Sequence, residues 1–433
     1  MFRSMRRTII ACFAIVLFVC GSPAPAAAQG SINSCTTVGK NLRVRDVMTD
    51  IYLWYAEMPR VDPARYASPE AYLEAVRHRR LDEHFSYITS RAANEAFYGD
   101  SQYVGLGMST AIVGQQLFVL QVFPESPAAE AGLARGTLIT AIGGRPVATL
   151  IVSNQVDAAL GAAEQGVAVD LEFADAAGTR RRATMTKRIV TIPTVSHTRV
   201  HEVQGRRVGY IFFRNFVQPS FAALDAAFAE LSAARIDDLV LDLRYNGGGL
   251  VSVAQHLASL IGGVRTNGQV LAEYFHNDKN QFRNEVLRFE EKPNAATLNR
   301  LIVITTPSSA SASELIINSL RPFIPVIVIG DRTYGKPVGQ YQVEFCDKML
   351  APVSFSLRNA NGEGDFFGGF PPDCPAPDDV ANDLGDPAEG SLREALVFAT
   401  TGACSPPALT MQRARPARRA NRATGWQAVI NAY

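Results

Sequence analysis

The sequence has little net charge, few histidines and no long apolar run after its first residues. Its 42 basic and 41 acidic residues leave a formal net charge of +1, so charge gives no reason to expect nucleic acid as a partner. No later apolar run approaches the roughly 18 residues of a membrane span. The 6 histidines show no zinc-ligand spacing, and no G-x-S-x-G motif occurs. Neither a zinc peptidase nor an α/β-hydrolase is therefore indicated.

The first 28 residues predict a signal peptide. Arginines precede an apolar run over 9–19 that is too short to span a bilayer, and the small residues over 24–28 end in the A-x-A pattern of a cleavage site. We therefore expect an exported protein, periplasmic or secreted, whose mature chain begins near Gln29. Lipid anchoring at Cys20 is the alternative, but Val19 stands where a lipoprotein signal prefers a small residue.

Cysteine is scarce. Of 6 cysteines, 2 lie in the predicted signal peptide and the others are Cys35, Cys346, Cys374 and Cys404. An even number in an oxidising compartment predicts two disulfides. Among the three possible connectivities we expect Cys35 with Cys404 and Cys346 with Cys374. The lack of C-x-x-C spacing argues against metal ligation, and we expect no cofactor or metal.

About 400 residues after the signal peptide are too many for one ordinary core. Apolar residues at helical spacing predict an N-terminal helical cap over 29–100, in which we identify no chemical role. Short strand-like runs predict a separate module over 101–192. Alternating strands and helices predict an α/β core over 193–404. The arginine- and proline-containing stretch over 405–433 carries no acid and predicts a basic disordered tail.

The module opens with the glycine-bearing segment 103–108, followed by Pro-Glu-Ser-Pro-Ala over 124–128 and Ala-Gly-Leu over 131–133. This ordered series resembles a PDZ domain of the bacterial type. The resemblance implies that Gly105, Leu106, Gly107 and Met108 form a peptide-binding loop whose N–H groups face a peptide's terminal carboxylate, while a strand edge pairs with the peptide backbone. The alternative is a simple glycine turn between two strands.

A serine-rich turn, Ser308 to Glu314, follows the buried strand over 301–305 and precedes an apolar helical run. A nucleophile at such a turn is exposed and faces the N–H groups of the helix. Ser311 and Glu314 also fit a capping box, and alone the segment favours that interpretation.

A lysine loop follows the neighbouring strand over 326–330. Two adjacent strand ends would bring Ser311 and Lys336 side by side. Burial disfavours the charged form of a lysine, so Lys336 in an apolar site can accept the serine proton. Gln340 can hold the amine in position. Taken alone, Lys336 is more typical of an exposed loop lysine.

Together these segments resemble the C-terminal processing (tail-specific) protease family. The motif Ser-Ala-Ser-Ala-Ser-Glu stands at 309–314, and the lysine follows the family's nucleophile position by 25 residues. The resemblance spans roughly residues 40–400. It implies an α/β catalytic core of ClpP/crotonase-like βα units, an inserted or preceding PDZ domain and a small N-terminal helical domain. It also implies Ser311 as nucleophile, Lys336 as general base and Gln340 as the helper.

A third motif, a buried strand running into a glycine turn, occupies 241–249. The resemblance implies that the N–H of Gly248 or Gly249, with that of Ala312, forms an oxyanion hole. A phosphate loop or a plain βα turn is the alternative, but no Gly-Lys-Ser/Thr follows.

The sequence therefore predicts an exported serine endopeptidase that captures C-terminal or apolar ends of protein or peptide substrates. The alternative is a catalytically silent PDZ-containing binding protein. Pro337, where many relatives have glycine, and the stretch 359–372 depart from the family pattern. The physiological substrate, the oligomeric state and any gating by the PDZ domain stay open.

Overall fold

The computed structural model describes residues 34–175, 177–406, 425–430 and 432–433. The predicted signal peptide lies outside these residues. Within the described part of the chain, no helix combines the length and apolar character that crossing a membrane requires.

The N-terminal domain is mainly helical, and it also contributes a strand that the sequence did not predict. Strand β1 pairs antiparallel with a hairpin strand over 348–351 that belongs to the later part of the chain. This pairing joins the N-terminal domain to the core. The elements are α1 (Thr37–Ile51), α2 (Pro69–Val76), β1 (Tyr87–Ser90) and α3 (Arg91–Asp100).

The next unit is a small β-rich module. Its main sheet has the order β3-β4-β5-β7-β8, with β6 paired to β5, while β2 pairs with β9 at the junction to the core. The elements are β2 (Gln102–Gly105), β3 (Met108–Val113), β4 (Gln116–Val122), α4 (Pro127–Glu130), β5 (Leu138–Ile142), β6 (Arg145–Pro146), α5 (Val147–Val152), α6 (Val156–Leu160), β7 (Ala168–Ala174), β8 (Arg180–Thr186) and β9 (Arg188–Thr191).

The core alternates strands with helices, as the sequence predicts. Its elements are β10 (Val195–Val203), β11 (Arg206–Phe213), α7 (Ser220–Ala233), β12 (Asp238–Asp242), α8 (Val251–Gly262), β13 (Val270–His276), β14 (Val286–Arg288), β15 (Leu301–Thr305), α9 (Ala312–Leu320), β16 (Val326–Gly330), β17 (Val338–Gln340), β18 (Val343–Phe345), β19 (Lys348–Ala351), β20 (Val353–Arg358), β21 (Cys374–Pro375), α10 (Gly390–Thr401) and, after the residues not described, α11 (Gly425–Ile430).

The central sheet has the order β10-β11-β12-β15-β16-β21. All pairings from β11 to β21 are parallel, and β10 is antiparallel at one edge. Successive side chains of a strand point to opposite faces, so Leu239 and Leu241 pack in the cluster with helices α7–α9, while Val240 packs in the cluster with α10. Both faces are covered, and the central residues of the middle strands are therefore apolar.

Three neighbouring strands, β12, β15 and β16, end at the same edge of this sheet. The glycine turn follows β12, the serine turn follows β15, and the lysine loop follows β16. The expected juxtaposition of these three segments is thus a direct consequence of the strand order.

Two disulfides form, but with partners other than those expected. Cys35 pairs with Cys346 at a Cα–Cα distance of 5.9 Å, and Cys374 pairs with Cys404 at 5.4 Å. Cys35 precedes α1, which packs against the β18–β19 hairpin where Cys346 lies. Cys374 on β21 and Cys404 just after α10 meet on the core. Tertiary docking, rather than sequence spacing, therefore decides the pairing.

The prediction of a disordered tail is wrong for its last residues. Residues 425–430 form α11, and residues 432–433 lie against the module. The apolar residues Trp426, Val429 and Ile430 follow helical spacing, a signal that the basic composition of the preceding stretch concealed.

Candidate active site

Ser311 stands at the turn between β15 and α9, in a backbone conformation that side-chain-bearing residues rarely adopt (φ 56°, ψ −114°). Such strain costs roughly 1–3 kcal/mol and is typical of functional turns. Of the three motif serines, Ser309 and Ser313 are fully buried, and their hydroxyls donate to Leu243 O (2.8 Å) and Asn246 O (3.0 Å). Ser311 alone among the three lines the cavity described below.

The glycine turn packs directly against Ser311. A Cβ added to Gly248 would lie 2.8 Å from Ser311 Cβ and 2.9 Å from Ala312 N, so any side chain there would displace the serine turn. The N–H of Gly248 donates to Asn246 Oδ1 (2.9 Å). Gly249 lies opposite Phe216 in a parallel β-bridge, whose hydrogen bonds run from Phe216 N to Gly248 O and from Leu250 N to Phe216 O. The N–H of Gly249 takes no part in these two bonds.

Asn246 holds the two turns together. Its backbone oxygen accepts from Ala310 N (3.0 Å) as well as from the Ser313 hydroxyl, and its Nδ2 donates to Phe213 O (2.9 Å). Every one of these groups is buried. The role of Asn246 was not predicted from the sequence, although it is the residue just before the three glycines.

Lys336 is hydrogen-bonded to Gln340. Lys336 Nζ donates to Gln340 Oε1 at 2.5 Å. Gln340 Nε2 donates to Phe85 O (2.8 Å) and Ala351 O (2.7 Å). Because both amide hydrogens of Gln340 are engaged, its oxygen must face the lysine.

The environment of Lys336 favours its neutral form. Burial lowers the pKa of Lys336 to about 8, while the negative charges of Asp82 and Glu314 oppose this shift. The ammonium lies 5.8 Å from the centre of the Phe85 ring. At pH 7 a pKa of 8 leaves roughly a tenth of the lysine neutral, far more than the ordinary pKa of 10.5 would.

The N-terminal domain therefore contributes to the site, contrary to the sequence analysis, which found no chemical role in it. Phe85 covers Lys336 and supplies the carbonyl that orients Gln340. The Phe85 ring also contacts Tyr334 and Phe367, at centroid distances of 6.1 and 6.5 Å. In the sequence, Phe85 is indistinguishable from an ordinary core aromatic residue.

Glu314 is a second residue whose role the sequence showed only in part. Its carboxylate is fully buried, and one oxygen accepts from Thr333 Oγ1 and Gly335 N, each at 2.6 Å. The other accepts from Ser311 N at 2.9 Å, which is the contribution of Glu314 to the capping box that the sequence predicts. Burial raises the pKa of Glu314, and the hydrogen bonds to Thr333 and to backbone N–H groups oppose that shift.

A cavity of about 170 Å³ joins these groups. Ser311, Lys336, Gln340 and Gly249 line it, whereas Gly248 and Ala312 are not among its lining residues. The rest of the wall is mostly apolar or aromatic. It consists of Tyr87, Tyr98, Gly247, Leu250, Val251, Gly339, Tyr341, Gln342, Ala351, Phe355 and Val429.

In the module, the glycine-bearing loop contacts the last residue of the chain. The N–H groups of Gly107 and Met108 donate to Tyr433 O at 2.9 and 3.1 Å. The other two predicted loop residues take different places. Leu106 buries its side chain in the core of the module, and Gly105 ends β2 where an added Cβ would lie 2.7 Å from the carbonyl carbon of Tyr433.

Comparison with known proteins finds the same family in two segments. The sequence model of peptidase family S41 matches residues 207–376, and the model of the peptidase S41 N-terminal domain matches residues 40–87. A solved structure of an S41 protease from Bacteroides fragilis is similar, with a TM-score of 0.66 and 25% identity over 83% of this chain and 97% of that one.

Curated relatives point the same way. The chain is 30% identical to a chloroplastic C-terminal processing peptidase of Tetradesmus obliquus, over 54% of this chain and 51% of the relative. It is 26% identical to a carboxy-terminal-processing protease of Bartonella bacilliformis, over 59% and 57%. The match thus spans about half the length of these relatives. Both segment matches and these similarities agree, and the chain belongs to peptidase family S41, a family of serine-type peptidases.

Proposed function

We propose that this protein is an exported serine endopeptidase that captures polypeptide C-termini through a PDZ domain and hydrolyses peptide bonds by a Ser–Lys acyl-enzyme mechanism. The observation that carries the proposal is the shared cavity of Ser311, Lys336 and Gln340, in which burial lowers the lysine pKa to about 8. Export is supported by the signal pattern and by two disulfides.

The proposed chemistry has two steps. Neutral Lys336 takes the Ser311 hydroxyl proton as Oγ attacks the scissile carbonyl carbon, and the ammonium then gives this proton to the departing amine. A water molecule next attacks the ester, again losing its proton to Lys336, and Ser311 is released with its proton restored. Gln340 keeps Nζ in position throughout. No metal or cofactor takes part in either step.

Negative charge on the carbonyl oxygen needs N–H donors that are not already engaged. The N–H of Gly248 is bonded to Asn246 Oδ1, and Gly248 does not line the cavity. Gly249 lines it. These contacts favour Gly249 over Gly248 as the partner of Ala312 in the proposed oxyanion hole.

The module is proposed as the PDZ domain that receives the substrate end. Backbone N–H groups of Gly107 and Met108 donate to the backbone oxygen of Tyr433, and β3 offers an edge for pairing with an extended peptide. Substrate capture at this loop would place the preceding part of the substrate near the Ser311 cavity.

A peptide pair tests this function directly. Residues 29–433 are given one unstructured peptide with an apolar end, either with a free or with an amidated C-terminus. Amidation removes charge-assisted hydrogen bonds worth roughly 1.5–3 kcal/mol, or about 10- to 150-fold in binding. We expect cleavage of the free form to be at least several-fold faster. Equal rates would contradict capture of the chain end, and binding without cleavage would favour the silent binding protein.

A further inference from the structure

The last described residue, Tyr433, lies on the edge of β3. Tyr433 N donates to Met108 O at 2.7 Å, and Met108 N donates back to Tyr433 O at 3.1 Å. The same oxygen of Tyr433 also accepts from Gly107 N (2.9 Å) and from the Tyr103 hydroxyl (2.9 Å). Reciprocal backbone bonds of this kind are how a sheet edge binds an extended peptide.

The side chain of Tyr433 fills a groove between β3 and α6, which we call the module groove. Its ring packs against the apolar core of the module, and its hydroxyl donates to Asp157 Oδ1 on α6 at 2.8 Å. The groove therefore accepts an aromatic side chain, and the exposed Asp157 offers a carboxylate to its phenolic hydroxyl. Because water can replace this exposed bond, the packing of the ring against the apolar core supplies most of the selection for an aromatic residue.

The helix α11 connects this groove to the candidate active site. Trp426 packs among Tyr87, Phe97 and Tyr98, at ring distances of 5.7, 5.4 and 6.3 Å. Val429 lines the cavity that holds Ser311. The segment thus covers the cavity at one end and fills the groove at the other.

Buried contacts hold the segment in place between these two ends. The fully buried Arg214 donates from Nη2 to Ile430 O at 2.9 Å. Val429, Ile430 and Ala432 are 7%, 7% and 4% exposed, which is the burial of a packed element.

The conformation of the segment makes it a blocker and not a substrate. A serine nucleophile must reach a peptide carbonyl carbon from one face while the carbonyl oxygen faces N–H donors. The last four carbonyl oxygens of a helix have no partner within it, and the carbonyl oxygen that follows Val429 in α11, Ile430 O, accepts from Arg214 Nη2. This oxygen is therefore not directed at N–H donors beside Ser311, as attack on its carbonyl carbon would require.

We propose that the segment formed by α11 and residues 432–433 is an intramolecular ligand that occupies both the module groove and the Ser311 cavity, and that extended polypeptides that present an aromatic side chain to this groove compete with it. This inference rests on the proposed function, because it takes the Ser311 cavity to be the active site of a peptidase. A tethered ligand acts at an effective concentration on the order of millimolar. Substrate access is therefore reduced to the fraction of molecules in which the segment has left, and the apparent KM rises accordingly.

The first test compares two full-length variants, both prepared as residues 29–433. Tyr433→Ala removes the ring and its bond to Asp157, while Phe282→Ala removes an aromatic ring that is 79% exposed and is not part of the apolar cluster that Tyr433 joins. With an unstructured peptide ending in Ala-Tyr, we expect Tyr433→Ala to lower KM by about 5- to 50-fold with kcat unchanged. Phe282→Ala should match the parent chain. An unchanged KM in a folded Tyr433→Ala protein would overturn the proposal.

The second test does not depend on turnover. A fluorescent peptide with the sequence of residues 425–433 is titrated into Ser311→Ala and into the double variant Ser311→Ala/Tyr433→Ala. We expect at least fivefold tighter binding to the double variant, whose groove is vacated, and loss of that binding when the peptide's tyrosine is replaced by glycine. Equal binding to the two proteins contradicts the proposal. Tighter binding to the double variant, together with no cleavage by the Ser311 chain, would leave the proposal standing and reject the protease function.

Discussion

Glu314 Oε2 accepts a hydrogen bond from the backbone N–H of Lys336 at 2.8 Å. The same oxygen accepts the N–H of Ser311, so one buried carboxylate sets the distance between the serine turn and the lysine loop. A capping residue of an ordinary helix serves only its own first turn. Here the capping carboxylate also accepts a hydrogen bond from the lysine loop, which follows the neighbouring strand β16.

Replacing Glu314 by glutamine should therefore damage both stability and turnover. The amide offers only one acceptor oxygen, and its NH₂ group would face backbone N–H donors that lose their partner. We expect a loss of roughly 2–4 kcal/mol in the free energy of unfolding and a lower kcat. Chemical denaturation and steady-state kinetics measure the two effects. Glu74→Gln, at an exposed side chain, is the matched control, and equal behaviour of the two variants would contradict this role of Glu314.

Ser311→Ala should abolish turnover and leave the fold intact, because it removes only a hydroxyl. Ser313→Ala removes a buried hydroxyl that donates to Asn246 O, so it should cost about 1 kcal/mol of stability and leave substantial activity. Thermal melting and a peptide cleavage assay distinguish the two. An essential Ser313 beside a dispensable Ser311 would reverse the assignment of the nucleophile.

The pH profile of kcat/KM should report the pKa of Lys336. With a pKa lowered to about 8 by burial, the neutral base falls roughly tenfold for each pH unit below 8. The rate should therefore rise between pH 6 and 8 and level off above. Lys336→Arg should be inactive throughout, because a guanidinium stays protonated. A flat profile down to pH 6, or a near-normal rate with arginine, would exclude Lys336 as the base.

Gln340→Glu puts a negative charge next to Nζ, and an opposite charge favours the protonated amine. The midpoint of the pH profile should move upward by about 1–3 units. Gln340→Ala instead removes an orienting contact, which should cost roughly 10- to 100-fold in kcat without that upward shift. If both variants keep the parent midpoint, Gln340 does not act through the charge state of Lys336.

Peptide mapping of the non-reduced protein should recover two cross-linked pairs, Cys35 with Cys346 and Cys374 with Cys404. Mass spectrometry before and after reduction identifies them. Four alkylatable thiols, or the pairing of Cys35 with Cys404, would contradict the structure and weaken the case for an oxidising compartment.

The sequence was sufficient to predict what depends on strand order. Ser311 and Lys336 follow two consecutive apolar strands, and such strands end at one edge of the sheet when they are parallel neighbours, as β15 and β16 are. The family resemblance was needed to predict this adjacency, because Lys336 alone is typical of an exposed loop lysine. Family spacing added Gln340. The same reasoning could not predict Phe85, because its contact with the Lys336 site depends on how the N-terminal domain docks.

The disulfide partners and the structure of the last residues also depend on tertiary packing, which the sequence pattern does not show. Sequence spacing allows Cys35 to pair with any of the other three cysteines. The packing of α1 places it beside Cys346. Residues 405–424 are basic and polar enough to predict disorder, but that property does not extend to Trp426. A compositional average over the whole tail hid a short apolar segment at its end.

The bond between Gln340 and Phe85 joins positions 255 residues apart. During synthesis the chain appears from its N-terminus, and a domain forms its long-range contacts only when both partners are available. Phe85 is made long before the lysine that it covers, and the orienting amide comes last. On the proposed mechanism, a growing or partly folded chain would therefore lack a competent base until Phe85 has docked over Lys336.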